Sequence, residues 1–235
     1  WNRYKEDISL ITRLGVKHYR FSLEWSKIEP EMGSYNDEAL EHYSNLIDEL
    51  IENDIQPVIT LHHFAHPIWF DKLGAFEKEE NISHLVSFSE KVFNEYSDRV
   101  EYWCTINEPG VVAVQGYFTA MFPPGVQSGK MTAEVFKNLL ESHVQIYHTL
   151  KKHKNGSQVK IGIVKNINQF EPWRRYHICD WLFTISLNHI FNWSTIDFFK
   201  TGKLKFRVPG LMWLTHNNLD AKNSLDFFGL KFLGL

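Results

Sequence analysis

The 235-residue chain lacks the features that mark several classes of protein. It has two cysteines, Cys104 and Cys179, which excludes a disulfide framework and a cysteine-rich metal site. No apolar run approaches the roughly 18 residues of a membrane span. No basic excess is present to bind nucleic acid, since Lys and Arg total 25 against 28 Asp and Glu. The first residues, WNRYKEDISL, lack the apolar core of a signal peptide. We therefore expect no membrane or nucleic-acid partner, and a cytoplasmic location.

What the chain does have is the composition of an ordinary folded domain. Apolar residues make up 43% of the sequence and charged residues 23%, with a net charge of −3. Disordered chains have few aromatic residues. In this chain aromatic residues make up 15% of the sequence, and eight of them are Trp. These rings either fill a core or face sugar rings.

Stretches with helical spacing of apolar residues alternate with short β-branched or aromatic runs. The predicted helices cover 3–14, 37–53, 81–98, 132–153 and 176–199. The predicted strands are His18–Trp25, Pro57–Phe64, Val100–Ile106, Val159–Lys165 and Leu225–Phe232. This alternation predicts an α/β fold with parallel strands joined by right-handed crossovers.

Two architectures fit such an alternation, the doubly wound sheet and the (β/α)8 TIM-type barrel. A doubly wound nucleotide-binding protein has a Gly-rich turn after an early strand, and neither a G-x-G-x-x-G nor a Walker-type segment occurs here. We therefore expect no cofactor. Polar and aromatic residues instead follow successive strands, where barrels build active sites, at Glu24-Trp25, His62-His63 and Asn107-Glu108.

The number of units indicates an incomplete barrel. Five strands and five helical regions are recognisable, whereas a closed barrel of this type has eight of each. An incomplete barrel exposes two strand edges, and exposed edges pair with other chains. We therefore expect self-association through the open edges.

The segment Thr105-Ile106-Asn107-Glu108-Pro109 carries the clearest chemical signal. It places an amide and a carboxylate at the end of a predicted strand, beside a proline that restricts the backbone. One interpretation is a general acid/base with a neighbouring amide that holds a substrate hydroxyl. The other is a surface glutamate that only ends a strand, and the segment alone does not separate the two.

Together with the segments around it, this pattern resembles glycoside hydrolase family 1, which contains β-glucosidases, β-galactosidases and related retaining enzymes. The segments that carry the resemblance are Trp1 to Lys17, Arg20-Phe21-Ser22, Thr60-Leu61-His62-His63, Asn107-Glu108-Pro109, Gly116-Tyr117, Pro123-Pro124-Gly125 and Asp226-Phe227-Phe228-Gly229-Leu230. The resemblance implies that residues 1–235 form a single partial glycosidase barrel domain, covering about the second to sixth strands of a (β/α)8 barrel.

The resemblance also implies roles for individual residues. Glu108 matches the general acid/base, and Asn107 matches the amide that bonds the sugar 2-hydroxyl. His63 matches a histidine that bonds a glycone hydroxyl, and Arg20 matches the arginine beside the nucleophile. Trp69 matches a tryptophan that packs rather than contacting the sugar. The implied function is retaining hydrolysis of a β-glycoside, with the sugar as the ligand.

The sequence departs from the family pattern at places that concern catalysis. Retaining enzymes need a second carboxylate about 5–5.5 Å from the first. The family supplies it from a seventh strand, in a Thr-Glu-Asn-Gly-like segment that does not occur here. The family's Asn-Tyr-Tyr is replaced by Lys231-Phe232-Leu233, and its Trp-Asp-Leu by Phe64-Ala65-His66. The alternative function is therefore that of a truncated or degenerate, catalytically inactive homologue that binds sugars or a partner.

Other notable residues have a structural interpretation. Glu24 shares a strand face with Arg20, so we expect it to pair with Arg20 rather than to replace the nucleophile. The histidines at His62-His63 and His66 lack neighbouring Asp and Cys ligands, so we expect no metal site. The Trp and Phe residues between 173 and 213 are expected in the core.

Overall fold

The computed structural model describes residues 1–208, 210 and 212–232. Within these residues, five strands form one parallel sheet and two more form an antiparallel hairpin. The strands are β1 His18–Ser22, β2 Gln56–His62, β3 Tyr102–Asn107, β4 Lys160–Ile167, β5 Lys203–Val208, β6 Met212–Asn217 and β7 Phe227–Phe232. The parallel sheet has the order β1-β2-β3-β4-β7, so β1 and β7 are its edges. This curled sheet confirms the expected incomplete barrel.

Helices connect the strands and cover the outer face of the sheet. The helices are α1 Tyr4–Arg13, α2 Trp25–Ile28, α3 Asp37–Glu52, α4 Ile68–Lys72, α5 Ile82–Tyr96, α6 Pro109–Tyr117, α7 Gly129–Lys151, α8 Ile178–Asn188 and α9 Ser194–Thr201. Shorter turns are 3-10 helical at Ala75–Glu77, Glu79–Asn81 and Leu219–Asn223, and π-helical at His189–Trp193. Among the described residues, no helix combines the length and the apolar character needed to cross a membrane.

The long helices begin where the sequence supplies a cap. The Asn36 side chain accepts a hydrogen bond from the Ala39 N–H at the start of α3, and the Ser128 side chain accepts one from Met131 at the start of α7. Each helix then turns an apolar stripe toward the sheet. In α3 the buried residues are Ala39, Leu40, Tyr43, Ile47 and Leu50.

The core between the sheet and the helices is rich in aromatic rings. Trp25 and Phe88 stack with ring centroids 5.1 Å apart, and Phe93 packs at 5.0 Å on Trp103. Each of these four side chains is at most 1% exposed. Burying a ring of this size contributes roughly 2–3 kcal/mol, so this layer holds the strands against the helices.

Strand β7 comes from far along the chain, and its position depends on a glycine in β4. Gly162 pairs with Phe227, and a Cβ at position 162 would lie 2.4 Å from the Phe227 carbonyl oxygen. Asp226, just before β7, accepts a hydrogen bond from the Ile161 N–H at 2.8 Å and pairs with Lys151 at 2.7 Å. These contacts set the register of β7 on β4.

The predicted helices and parallel strands are present, with shifted ends. The strand predicted for His18–Trp25 ends at Ser22, because Trp25 turns into the core and begins α2. The hairpin of β5 and β6 was not predicted, although β5 alternates exposed and buried residues as a strand with one covered face does. It packs beside α7 and α9, outside the parallel sheet.

The core assignment of the aromatic residues between 173 and 213 is correct for only part of them. Phe198, Phe199 and Phe206 are buried, whereas Trp173 is 93% and Trp213 72% exposed. The expectation also fails for Trp181, which is 45% exposed, because α8 lies on the surface and none of its residues is buried in the described structure.

Candidate active site

The four candidate residues lie toward the end of the sheet at which the strands have their carboxyl ends. Arg20 is in β1, His63 follows β2 directly, and Asn107 ends β3 with Glu108 after it. These strands are parallel neighbours, so their carboxyl ends lie side by side at the same end of the sheet. In barrel enzymes this is the end that carries the catalytic side chains.

A hydrogen bond joins Arg20 to Asn107. The Arg20 Nη2 donates to the Asn107 Oδ1 at 3.1 Å. The Asn107 Nδ2 and the Arg20 Nη1 are both buried, and neither has a partner among the described residues. A buried donor without an acceptor costs about 1–3 kcal/mol. The pair therefore offers two N–H groups to an oxygen that reaches this point.

Glu108 is buried and has an unusual backbone conformation. Its φ of 48° and ψ of 62° lie in the left-handed region, which costs energy for a residue other than glycine. Its N–H donates to the Val164 carbonyl at 2.7 Å, and Pro109 begins α6 directly after it. These neighbours hold the strained turn, and the turn fixes the direction in which the carboxylate leaves the strand end.

The Glu108 carboxylate has a cationic partner that the family pattern does not contain. The Lys231 Nζ lies 3.1 Å from the Glu108 Oε1, and the two side chains are 36% and 9% exposed. Lys231 is in β7, at the position where the family has Asn. Leu233, at the position of the family's second Tyr, lies outside the described residues.

His63 is half-buried, and its Nδ1 lies 2.6 Å from the Ser22 Oγ. Burial lowers the pKa of His63, the positive charges of Arg20 and Lys231 lower it further, and Glu108 opposes them. His63 is therefore neutral at neutral pH, so its ring offers one donor and one acceptor. The bonds of His63 with Ser22, of Arg20 with Asn107 and of Lys231 with Glu108 lie toward the carboxyl ends of strands of the parallel sheet, and these residues make up the cluster.

A second lysine lies behind this cluster. Lys165, in β4, is buried and donates hydrogen bonds to the carbonyl oxygens of Asn166 and Phe191. Burial lowers the pKa of Lys165 to about 8, against the opposing effect of Glu108. Because Phe191 belongs to the π-helical turn, Lys165 ties β4 to the helical region that follows α8.

Glu24 does not form the expected pair with Arg20. Its Oε1 accepts a hydrogen bond from the Ser26 Oγ at 2.6 Å, while Arg20 bonds Asn107. The expectation was wrong because β1 ends at Ser22, so Glu24 no longer follows the alternation of the strand and instead precedes α2.

Trp69 lies in α4, the short helix that follows β2 and the His63 turn. Its indole N–H donates to the Glu29 carbonyl at 3.0 Å, and its ring lies edge-on to Trp25 with centroids 5.7 Å apart. These contacts tie α4 to α2 and the residue after it, so Trp69 has a packing role.

The other two histidines of this region lie together. His62 is buried, its ring stacks with His66 at 6.0 Å, and neither of its ring nitrogens has a partner among the described residues. Burial lowers the pKa of His62 to about 3. No group of three His, Cys, Asp or Glu side chains arranged to hold a metal is found in the described part of the chain.

Sequence reasoning missed two members of the cluster, Lys231 and Ser22. Ser22 stands two residues after Arg20 in the same strand, and this spacing was a usable signal for a shared face. Lys231 departs from the family pattern, but no feature of the neighbouring sequence indicates its contact with Glu108.

Comparison with known proteins identifies the family of this chain. The sequence model of glycosyl hydrolase family 1 matches residues 1–203. This match covers well over half of the chain. The similar proteins described below include β-glucosidases. The chain therefore belongs to glycosyl hydrolase family 1.

Relatives of this chain are much longer than the chain itself. β-Glucosidase A of Thermotoga maritima is 37% identical over 174 residues, which cover 73% of this chain and 38% of that protein. The furostanol glycoside 26-O-β-glucosidase of Hellenia speciosa is 32% identical, over 99% of this chain and 45% of that protein. A solved β-glycosidase from Pyrococcus horikoshii has a TM-score of 0.84 at 35% identity, over 99% of this chain and 52% of that one. The chain thus spans about half, or less, of the length of its relatives.

Proposed function

We propose that this chain is part of a retaining β-glycosidase of the β-glucosidase type, with Glu108 as the general acid/base. The position of Glu108 carries the proposal. The residue is buried at the carboxyl end of β3, its backbone is held in the left-handed region, and its neighbour Asn107 bonds Arg20. Strained residues persist where the surrounding structure holds them, and they cluster at active sites.

In this function Glu108 acts twice. It donates a proton to the glycosidic oxygen as the aglycone leaves, and it later removes a proton from the attacking water. The Asn107 Nδ2 bonds the sugar 2-hydroxyl, a contact that strengthens as the ring gains oxocarbenium character. The Asn107 Nδ2 has no partner in the part of the chain that the structure describes, which supports this role. Arg20 orients the amide through the Asn107 Oδ1.

His63 and a second carboxylate complete the proposal. Neutral His63 bonds a glycone hydroxyl, and Ser22 orients its ring. The nucleophile needed for retention lies about 5–5.5 Å from the acid, and the family pattern places it on a seventh strand beside Arg20. The buried Arg20 Nη1, which has no partner among the described residues, would keep that carboxylate ionised.

The test is hydrolysis of two aryl β-glucosides by the protein that carries this chain. Phenyl β-glucoside needs a proton on its leaving oxygen, whereas 2,4-dinitrophenyl β-glucoside does not. We expect Glu108→Gln to lower kcat/KM for the phenyl substrate about 100-fold or more, and for the dinitrophenyl substrate much less. The matched control is Glu101→Gln, an exposed glutamate just before β3. Proton NMR should show β-glucose as the first product.

An equal loss with both substrates in Glu108→Gln would contradict the acid/base assignment. The absence of turnover by the unaltered protein would contradict the glycosidase function itself. If calorimetry then showed binding of a β-glucoside, the result would support the alternative, an inactive homologue that binds sugars.

We also propose that residues 1–235 form a single partial barrel domain that self-associates. β1 and β7 each have one neighbour in the described sheet, so their other edges offer unpaired N–H and C=O groups. Sedimentation of the 235-residue chain at several concentrations tests this. A mass that rises with concentration supports the proposal, and a monomer throughout contradicts it.

A cytoplasmic location is a further proposal, supported by the two free thiols. Cys104 and Cys179 are both unpaired, as is usual in a reducing compartment. Microscopy of the tagged protein tests it, and a secreted or organellar signal would contradict it.

A further inference from the structure

A basin of about 520 Å³ with a strong positive charge lies where α9, β5 and the 3-10 turn Leu219–Asn223 meet. Its charged and titratable lining residues are Lys200 from α9, Lys203 and Lys205 from β5, Lys222 from the 3-10 turn, and His189 and Asp197. Four lysines against one aspartate give the lining a net charge of +3, with His189 counted as neutral. The chain as a whole has a net charge of −3. The basin therefore gathers positive charge against the balance of the whole chain.

The four lysines of the basin have no anionic partner among the described residues. The lysines that form ion pairs in that part of the chain are Lys5, Lys91, Lys137, Lys151 and Lys231. Like charges gathered in one concave site repel one another, and a cleft lined by charge of one sign attracts ions of the opposite sign. A bound anion would therefore relieve the repulsion among these ammonium groups.

The backbone at Gly202 holds the elements that carry the lysines together. Gly202 follows α9 with a φ of 74°, and a Cβ there would lie 2.6 Å from the Asn218 carbonyl oxygen. The Asn218 N–H donates to the Gly202 carbonyl at 2.8 Å, and the Asn218 side chain caps the 3-10 turn. Alternate residues of β5 are buried, so Lys203 and Lys205 both lie on its exposed face. The lysines thus converge on a framework that close backbone packing fixes.

We propose that this basin binds a soluble small molecule that carries two or more phosphate groups. A phosphate ester group carries about −1.5 to −2 at neutral pH, so two such groups match the charge of the lining. Lysine binds phosphate oxygens as a point charge, and the volume lies within the range of about 300–1,000 Å³ of small-molecule sites. A carboxylate carries only one charge, so an equal match by carboxylates needs a bulkier ligand. The four candidate active-site residues are not among the described lining residues, and the binding does not depend on the proposed glycosidase function.

The experiment is calorimetric titration of the protein that carries this chain with inorganic pyrophosphate and with orthophosphate, with no divalent cation added. We expect saturable binding of pyrophosphate, about five- to tenfold tighter than that of orthophosphate, because pyrophosphate engages more of the lysines. Lys203→Gln and Lys222→Gln should each weaken pyrophosphate binding about two- to fivefold, which is the effect of one exposed ion pair. Lys72→Gln, at an exposed lysine in α4, is the matched control and should leave the affinity unchanged.

A variant with the opposite effect separates binding from a loss of folding. Asp197→Asn removes the acidic side chain of the described lining, so pyrophosphate should bind about two- to fivefold more tightly. Thermal unfolding gives a second readout, because a ligand that binds the folded state raises the Tm. Pyrophosphate should raise the Tm less in Lys203→Gln than in the unaltered protein. Without pyrophosphate, Lys203→Gln should be at least as stable as the unaltered protein, since one repelling charge is gone.

Lack of saturable pyrophosphate binding, or an affinity that neither Lys203→Gln nor Lys222→Gln changes, would overturn the proposal. Equal affinity for citrate, a polyanion of carboxylates only, would also overturn it, because the site would then select charge and not phosphate. Binding to vesicles that contain phosphatidylinositol bisphosphate, without binding of the soluble headgroup inositol trisphosphate, would assign the basin to a lipid surface and overturn the soluble ligand. Pyrophosphate binding by a protein that does not hydrolyse glucosides would support the basin alone, and hydrolysis without such binding would support the glycosidase alone.

Discussion

Lys231, in the edge strand β7, pairs with Glu108 at the end of β3, with an Nζ–Oε1 distance of 3.1 Å. The two strands are not neighbours, because β4 lies between them. The pair therefore links the edge of the sheet to the buried carboxylate of the candidate site. A largely buried carboxylate without a charged or hydrogen-bonded partner is costly, so this contact should matter for stability.

We predict that Lys231→Met destabilises the protein by about 2 kcal/mol, because it leaves the Glu108 carboxylate without its cation. Urea unfolding at neutral pH measures the change. Lys160→Met, at an exposed lysine that begins β4, is the control and should have little effect. In a Glu108→Gln background the loss should be much smaller, because a neutral amide needs no cation. An equal loss in both backgrounds would mean that Lys231 stabilises through its aliphatic stem.

We predict that Asn107→Ala affects both stability and catalysis. It removes the acceptor of the Arg20 Nη2, which should cost about 1–3 kcal/mol in urea unfolding. On an aryl β-glucoside it should lower kcat more than it raises KM, because the 2-hydroxyl contact strengthens in the transition state. Asn223→Ala, at an exposed position, serves as the control. A change confined to KM would contradict the proposed role.

We predict that acid destabilises the fold through two buried histidines. Burial lowers the pKa of His143 to about 4 and that of His62 to about 3. Both values lie below the pKa of about 6.5 of an unfolded histidine, so the unfolded chain binds protons first as the pH falls. The stabilisation is therefore complete above pH ~6.5 and declines toward pH ~4, by on the order of 3 kcal/mol for each site.

Urea unfolding across this pH range measures the effect. His143→Gln should lower stability at neutral pH, because it disturbs the contacts with Thr105 and the Ser224 carbonyl. It should also flatten the pH dependence, which a purely structural change would not do. Asn223→Ala, at an exposed position without a titratable side chain, is the control and should leave the curve unchanged. A free energy of unfolding that stays constant down to pH ~4 would contradict the prediction.

We predict opposite outcomes for alanine at two glycines. Gly162→Ala places a Cβ 2.4 Å from the Phe227 carbonyl oxygen and should cost about 3 kcal/mol by forcing β7 away from β4. Gly110→Ala meets only the Phe136 ring, at 3.8 Å, and should gain up to about 1 kcal/mol because alanine favours the helix α6. Thermal unfolding measures both. Wild-type stability of Gly162→Ala would contradict the described packing of β7.

The local pattern was enough to place most of the secondary structure. The helix predicted over 37–53 is α3, Asp37–Glu52, and the strand predicted for Val159–Lys165 is β4, Lys160–Ile167. Both depend on periodicity within one segment, which neighbouring residues set. The family motifs were equally local, since Asn107-Glu108-Pro109 is contiguous. The hairpin of β5 and β6 was not predicted. Its alternation of exposed and buried residues is short, and no turn motif was recognised beside it.

The contacts among the site residues were only partly predictable. Motif and fold class together placed Arg20, His63, Asn107 and Glu108 at one end of a parallel sheet. The bond between Arg20 and Asn107, and the pairing of Glu24 with Ser26 instead of Arg20, depended on where β1 ends.

The sequence by itself determined the α/β alternation, the family and the identity of the candidate acid. The tertiary structure alone decided which groups surround that acid. Lys231 reaches Glu108 only because β7 takes its place beside β4, where Gly162 leaves room for the Phe227 backbone. Such a contact joins residues far apart in the chain, so no local periodicity encodes it. It follows from strand order and register, which packing across the whole sheet determines.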